Sequence, residues 1–550
     1  METLLGRWRG HPTAVLVTLC LGFFMTLLDT SIVNVAIPHM VDGLDATFDQ
    51  VLWVLNAYVL VFAVLVLLCG RLGDLFGPRA MLVVGMTVFT LASLLCGLAQ
   101  SAEVLIAARA VQGLGAACMA PQTLALLTAT FPPERRGAAF GVWSAIGGVA
   151  PVAGPIVGGA LVNEASWRWI FLINLPLGVL IVAMALALVP EVEERRRSAL
   201  DVRGVVLSTL GLLLITYGLI EGQKYDWGQV RSFVGIPLII GVGVALVAVF
   251  VLDQWRRQDR QPLLPFALFS DRGFSTMMFV TAAVLFSVAA LLLPLTIYLQ
   301  SALGLSALGA GLVLAPPMVV QFVLAPVAGR QTDRIGGKFI LFAGLLLFAA
   351  GLGLVAATAR HDSHWSALMP GLLVAGAGMG AVFATMNAMA MKDVPPKLAG
   401  AASGVVSAAR QLGMVFGGAA VGALLQNRLA TELSEEAGRN AARLPPQARE
   451  PFVRGFESAT EDGLEVGAQQ SARLVRPPSG LPREALADFE AAATDVFTHA
   501  FTTAMRVSMA LPLAVLVVAA LTCLLLRKPA RTPAAAPSRE ADQEVSPPAD

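Results

Sequence analysis

Fourteen stretches of this chain are apolar enough, and long enough, to cross a bilayer as helices. A spanning helix needs about 20 mostly apolar residues. Such stretches fall at 14–38, 51–70, 79–99, 103–128, 137–162, 169–189, 204–221, 234–252, 274–299, 307–329, 338–359, 368–391, 398–425 and 503–526. Lipid offers no hydrogen bonds, so each segment must satisfy its own backbone, which a helix does. The expected fold is an all-α integral membrane protein. Only 14% of the 550 residues are charged, against about 25% in a soluble domain. The first span is too long for a cleaved signal peptide and lacks a small-residue cleavage site.

Positive charge sets the orientation. With the N-terminus in the cytoplasm, the inner segments carry 23 Lys and Arg, including Arg135-Arg136, Arg195-Arg196-Arg197 and Arg256-Arg257. The short outer loops carry four: Arg168, Lys224, Arg231 and Arg360. Both termini are therefore expected inside. Residues 426–502 hold eight Arg and twelve Asp or Glu. They are expected outside, as a helical or loosely ordered cap. The Pro- and Ala-rich tail 529–550 is expected to be a disordered cytoplasmic segment.

Several chemistries are excluded. A net charge of +1 gives no field for nucleic acid. The five cysteines (Cys20, Cys69, Cys96, Cys118, Cys523) lie in apolar stretches without ligand spacing. Neither a disulfide framework nor a zinc site is expected. His361 and His364 stand three apart in an outer loop, too sparse a set for a metal. There is no HExxH and no GxxxxGK[ST], which argues against an ATP-driven pump. The protein is expected not to be an enzyme.

The chain repeats itself. Residues 70–79 read GRLGDLFGPR and residues 329–338 read GRQTDRIGGK, 259 positions apart. Residues 132–145 (PPERRGAAFGVWSA) match 395–408 (PPKLAGAASGVVSA) at an offset of 263. Span 2 thus corresponds to span 10, and span 5 to span 13. The simplest arrangement is two six-helix bundles with spans 7 and 8 inserted between them. In boundaries, that is 1–190 for the first bundle, 191–260 for the inserted pair and 261–425 for five helices of the second. The cap 426–502, the last span 503–528 and the tail complete the chain. Parallel repeats of this kind are a secondary-transporter architecture, with the substrate site between the halves near mid-membrane.

These motifs resemble the major facilitator superfamily, specifically its 14-helix drug:proton antiporter branch. GRLGDLFGPR looks like the superfamily's loop 2–3 signature. LDTSIVNVAIP (28–38), RAVQGLG (109–115) and GPIVGG (154–159) look like signatures of spans 1, 4 and 5 in drug exporters. SWRWIFLINLPLG (166–178) and YLQSALGLSALGAG (298–311) are similar to the 14-helix branch in particular. Where the span 5 motif usually has an upstream Gly, this chain has Ala150. The resemblance implies the major facilitator fold, with gating loops formed by Gly70, Arg71, Asp74, Gly77 and Arg79 and, in the other half, Arg330, Asp333 and Lys338. It also implies that Gly154, Pro155, Gly158 and Gly159 build a pliant antiporter helix.

Charges inside the membrane are costly and mark function. Asp29 is the only acidic residue well inside a span, and Arg109 and Arg410 are the deep bases. Asp29 and Arg109 could lie at similar depth, and they are expected to form the proton-coupling pair, with a fixed structural ion pair as the alternative. Burial raises the proton affinity of a carboxyl and a nearby cation lowers it. Movement between states could then load and unload the proton. The remaining polar residues on the spans are candidates for the substrate cavity: Asn34, Tyr58 and Gln112, then Tyr298 and Gln300, then Asn387, Arg410 and Gln411.

The expected function is proton-coupled efflux of lipophilic drugs or antibiotics by alternating access. The setting would be a bacterial cytoplasmic membrane. The expected partners are the substrate, protons and membrane lipids, with no nucleic acid. The protein is expected to be a monomer with no cofactor, the proton gradient supplying the energy. A lipid or fatty-acid exporter on the same fold and a non-transporting membrane sensor are the alternatives.

Overall fold

The structure is a computed structural model describing residues 8–191, 201–222, 225, 227–231, 234–258, 263–395, 398–461 and 483–526. The tail 529–550 and the side chain of Pro155 lie outside the described residues. The first half contributes α1 (Pro12–Leu44), α2 (Phe48–Phe76), α3 (Pro78–Leu98), α4 (Ala102–Thr130), α5 (Arg136–Glu164) and α6 (Asn174–Leu188, after a turn Trp169–Leu172). An inserted pair follows, α7 (Val202–Glu221) and α8 (Ile236–Arg256), joined through two short strands, β1 (Gln229–Arg231) and β2 (Val234–Gly235). The second half contributes α9 (Arg272–Ile297), α10 (Ala307–Ile335), α11 (Gly337–Thr358), α12 (Met369–Ala390) and α13 (Ala399–Ala441). Beyond it come α14 (Pro446–Glu461), α15 (Arg483–Ser508) and α16 (Ala510–Cys523).

Every apolar stretch read from the sequence falls on a helix. Among the described residues, thirteen helices are long and apolar enough to span a membrane; the stretch 137–162 is α5. Side-chain caps set several starts. Thr47 and Gln50 form a capping box at α2, and Ser101, Asp201, Asp271 and Ser306 cap α4, α7, α9 and α10. Each satisfies an N–H that the first helical turn leaves unpaired.

The halves meet along two seams, α5 against α10 and α2 against α13. Given the internal repeat, these are one contact made twice with the halves exchanged. Of the inserted pair, α7 lies against α2 and also touches α13, with α8 packed on α7. The pair therefore covers one seam.

Two helices run past the ends that hydropathy gives them. The stretch 398–425 continues as helix to Ala441, and the last span is preceded by α15. On α13, Leu425, Leu429, Leu433 and Ala437 stay buried at intervals of four. One apolar face therefore persists after the average turns polar. Phe452 stacks edge-on against Phe456 and Phe489, at 5.1 and 5.0 Å between ring centres. The described parts of the cap thus form a small helical bundle continuous with α13.

Candidate functional site

Asp29, midway along α1, is fully buried, and Arg109 of α4 is 1% exposed. The guanidinium Nη1 donates to Asp29 Oδ2 at 2.5 Å. The other carboxylate oxygen, Oδ1, accepts from Gln112 Nε2 at 2.9 Å and from Asn174 Nδ2 of α6 at 3.0 Å. Arg109 also donates to the Val54 carbonyl (3.1 Å) and to Gln112 Oε1 (2.8 Å). Asn174 in turn donates to Ser93 Oγ at 3.0 Å, and Ser93 to the Phe171 carbonyl at 2.9 Å. Five helices, α1, α2, α3, α4 and α6, therefore contribute to the network around one carboxylate. Buried charges persist only when paired and hydrogen-bonded, and this network meets that condition.

Beside the pair lies a cavity of about 540 Å³ between the halves, a volume suited to a small molecule. Phe23, Thr26, Leu27 and Thr30 of α1 line it, with Tyr58 and Phe62 of α2 and Met119 of α4. Trp143 of α5, Leu219 and Ile220 of α7, Leu285 and Leu293 of α9, and Arg410, Gln411 and Met414 of α13 also line it. Tyr58 belongs to both sites: it lines the cavity, and its ring lies 4.4 Å from the Arg109 guanidinium carbon.

The cavity is closed at the end bearing the repeated loops. On the α2–α13 seam, a Cβ at Gly70 would sit 2.8 Å from Gly404 Cα. On the α5–α10 seam, a Cβ at Gly141 would sit 2.7 Å from the Ala325 carbonyl, and one at Gly329 would overlap the Gly137 carbonyl. The backbones touch there because the glycines have no side chain to hold them apart.

The loop acids fasten this closure symmetrically. Asp333 Oδ1 and Oδ2 accept the Gly137 and Ala138 N–H groups at 2.7 and 2.8 Å, at the N-terminus of α5. Asp74 takes the Gly400 and Ala401 N–H groups at the N-terminus of α13, with Arg71 3.5 Å away. Each carboxylate from one half thus caps a helix of the other, where the helix dipole favours negative charge. The bases tie each loop to its own half. Arg79 donates to the Ala185 and Leu186 carbonyls at the end of α6. Lys338 donates to the Leu524 and Leu526 carbonyls just past α16, at 2.7 and 2.5 Å. Gly77 and Gly336 turn these loops at φ of +93° and +86°, a region that favours glycine. Arg330 stands exposed.

We expect Asp74→Asn and Asp333→Asn each to slow transport several-fold, and the double variant more, with expression preserved. One carboxylate at a helix N-terminus is worth about 0.3–2 kcal/mol, enough to shift a switching equilibrium but not to unfold a bundle. Efflux rates at matched membrane levels test this. Wild-type turnover in the double variant would reduce the loops to topology signals.

Gly154 and Gly158 let α5 approach α1 beside the pair. A Cβ at Gly154 would overlap Ser31 Oγ, and one at Gly158 would come within 2.7 Å of Ile32. Ser31 Oγ bonds the Ala150 carbonyl at 3.3 Å. Gly159 faces open space. One helix therefore seals against α10 near the loop end and buttresses the Asp29 region further along.

Of the cavity candidates, Tyr58, Arg410 and Gln411 line the cavity and Gln112 joins the Asp29 network instead. Tyr298 bonds the Arg360 carbonyl through its hydroxyl at 2.6 Å, anchoring the end of α9. Gln300 sits in the adjoining turn Tyr298–Ala302. Asn34 donates to the Thr30 carbonyl one turn beyond the lining (3.2 Å), and Asn387 to the Phe383 carbonyl within α12 (2.8 Å). His361 stacks on His499 at 3.7 Å, not on His364.

The family model described as Major Facilitator Superfamily matches residues 19–418. The chain belongs to the major facilitator superfamily. Among its superfamily relatives, the multidrug resistance protein Stp of Mycobacterium tuberculosis is 34% identical, covering 75% of this chain and 76% of its own. The tetracenomycin C resistance and export protein of Streptomyces glaucescens is 32% identical, over 86% and 84%. The human organic anion transporter MFSD10 shares the superfamily fold at a TM-score of 0.57 and 13% identity, over 92% of this chain and 99% of that one.

Within this superfamily chain, sequence reasoning missed Asn174 and Ser93. Asn174 lies inside SWRWIFLINLPLG. A neutral amide in a span must find a partner across helices, and that was the available signal.

Proposed function

We propose that this transporter exports lipophilic compounds in exchange for protons, with Asp29 as the proton carrier. The observation that supports this most is the Asp29–Arg109 pair buried beside the cavity. A proton on Oδ2 and the Arg109 guanidinium compete for one oxygen. Protonation frees Arg109 from its anion, and Tyr58 carries that change to the cavity wall. The two aspartate caps hold the loop end shut. Their release opens it and closes the opposite end. Relatives named for multidrug resistance and for resistance and export support outward transport of drug-like molecules.

The orientation belongs to the same reading: the closed loop end faces the cytoplasm, both termini lie inside, and the cap lies outside. Glu450 and Arg454 are exposed on α14, and the five native cysteines are buried. Glu450→Cys and Arg454→Cys should therefore react with an impermeant maleimide on intact cells. Labelling only after lysis would reverse the topology.

Dye efflux from loaded cells tests the export itself. It should stop when a protonophore collapses the gradient and persist when ATP is depleted with the gradient held. Efflux that follows ATP would contradict the proton coupling.

A further inference from the structure

We propose that the cavity takes lipophilic monoanions, an aromatic skeleton bearing one carboxylate- or phenolate-type group, with the Arg410 guanidinium receiving the charge. This rests on the exporter reading and names its substrate class.

Arg410 makes no hydrogen bond or ion pair with any described residue. Its guanidinium carbon lies 5.4 Å from the centre of the Trp143 ring, whose indole stacks on Phe23 at 4.1 Å. That contact holds the cation by its face and leaves its N–H donors unspent. Among the described residues, no Asp or Glu lines the cavity. Asp29 is wholly buried and committed to Arg109, Gln112 and Asn174. An unpaired cation inside a membrane protein implies a partner, and here the space in front of it is the transport cavity. A planar oxyanion fits the guanidinium fork in two parallel bonds. Phe23, Trp143 and Phe62 offer flat apolar walls for the rest of the molecule.

The charge count follows. Exporting a monoanion while importing one proton moves two positive charges inward per cycle. Exporting a monocation moves none. Transport of the preferred substrate is therefore driven by the membrane potential as well as by the pH difference.

The test uses one skeleton in three charge states: anthracene carboxylate, anthracene methanol and (aminomethyl)anthracene as its ammonium. Binding is measured on the full chain in nanodiscs. The carboxylate should bind about tenfold or more tighter than the ammonium, and Arg410→Gln should remove that preference. Arg410→Lys should restore part of it, because it keeps the charge and loses the fork. A folding defect would weaken all three probes, whereas loss of the cation weakens the carboxylate and spares the ammonium. Equal binding of the three by wild type, or an ammonium preference, would overturn the proposal. Proton release by wild type but not by Asp29→Asn, read in the same samples, reports the exporter reading separately. Its presence without the anion preference would sink the substrate class alone.

Discussion

Asp29→Asn is expected to reduce proton-driven efflux to the passive level while the protein still inserts. The substitution keeps an oxygen for Gln112 and Asn174 but removes the charge opposite Arg109. Arg109 retains the Val54 carbonyl, Gln112 Oε1 and the Tyr58 face, so it is not left bare. Breaking a buried pair costs about 3–5 kcal/mol, tolerable in a bundle of this size. What is lost is the titration, since no other acidic residue lies well inside a span. Substrate still binds the Asn variant, because Asp29 does not line the cavity. The converse variant, Arg109→Ala, leaves the buried Asp29 carboxylate without its cation, and coupling should weaken. Arg109→Lys should retain partial function. Efflux assays with matched expression, repeated across external pH, separate these three outcomes. Wild-type efflux by Asp29→Asn would make the pair structural.

The second large effect is expected at the seams. A Cβ at Gly329 cannot coexist with the Gly137 carbonyl in the closed arrangement. Overpacking typically costs about 1–3 kcal/mol, which is about 5- to 150-fold in a two-state equilibrium. Gly329→Ala should therefore populate the state open at the loop end, and Gly70→Ala should do the same through the pseudo-equivalent seam. Spin-label distances across α5 and α10 near the loops should lengthen in either variant. An unchanged distance distribution would mean that this seam does not move. Gly159→Ala is the control, because that position meets nothing within 4 Å.

The parts of this architecture that were legible in the sequence are those that lipid makes expensive. Apolar length fixes helices, and a carboxylate or guanidinium in mid-span is rare enough to stand out, so Asp29 and Arg109 could be singled out as a candidate pair. The 259-residue repeat anticipated that the two loops would act alike, and Asp74 and Asp333 do cap equivalent helices. Neutral polar residues gave no such signal. Gln112 and Asn387 are alike on a hydropathy profile, yet one binds Asp29 and the other bonds its own helix. Which side chain reaches a cavity depends on helix rotation and on what the neighbouring helix presents. The reach of α13 to Ala441 was hidden for a related reason: an amphipathic extension lowers the average while its buried face continues.

Protons released when substrate binds provide the most direct measurement of the central claim. Purified transporter in weakly buffered detergent, mixed with a binding substrate, should release about one proton per molecule, as a single titrating carboxyl implies. Asp29→Asn should bind the same substrate and release none. Equal release by the Asn variant would show that the proton rides elsewhere, and the assignment of Asp29 as its carrier would fall.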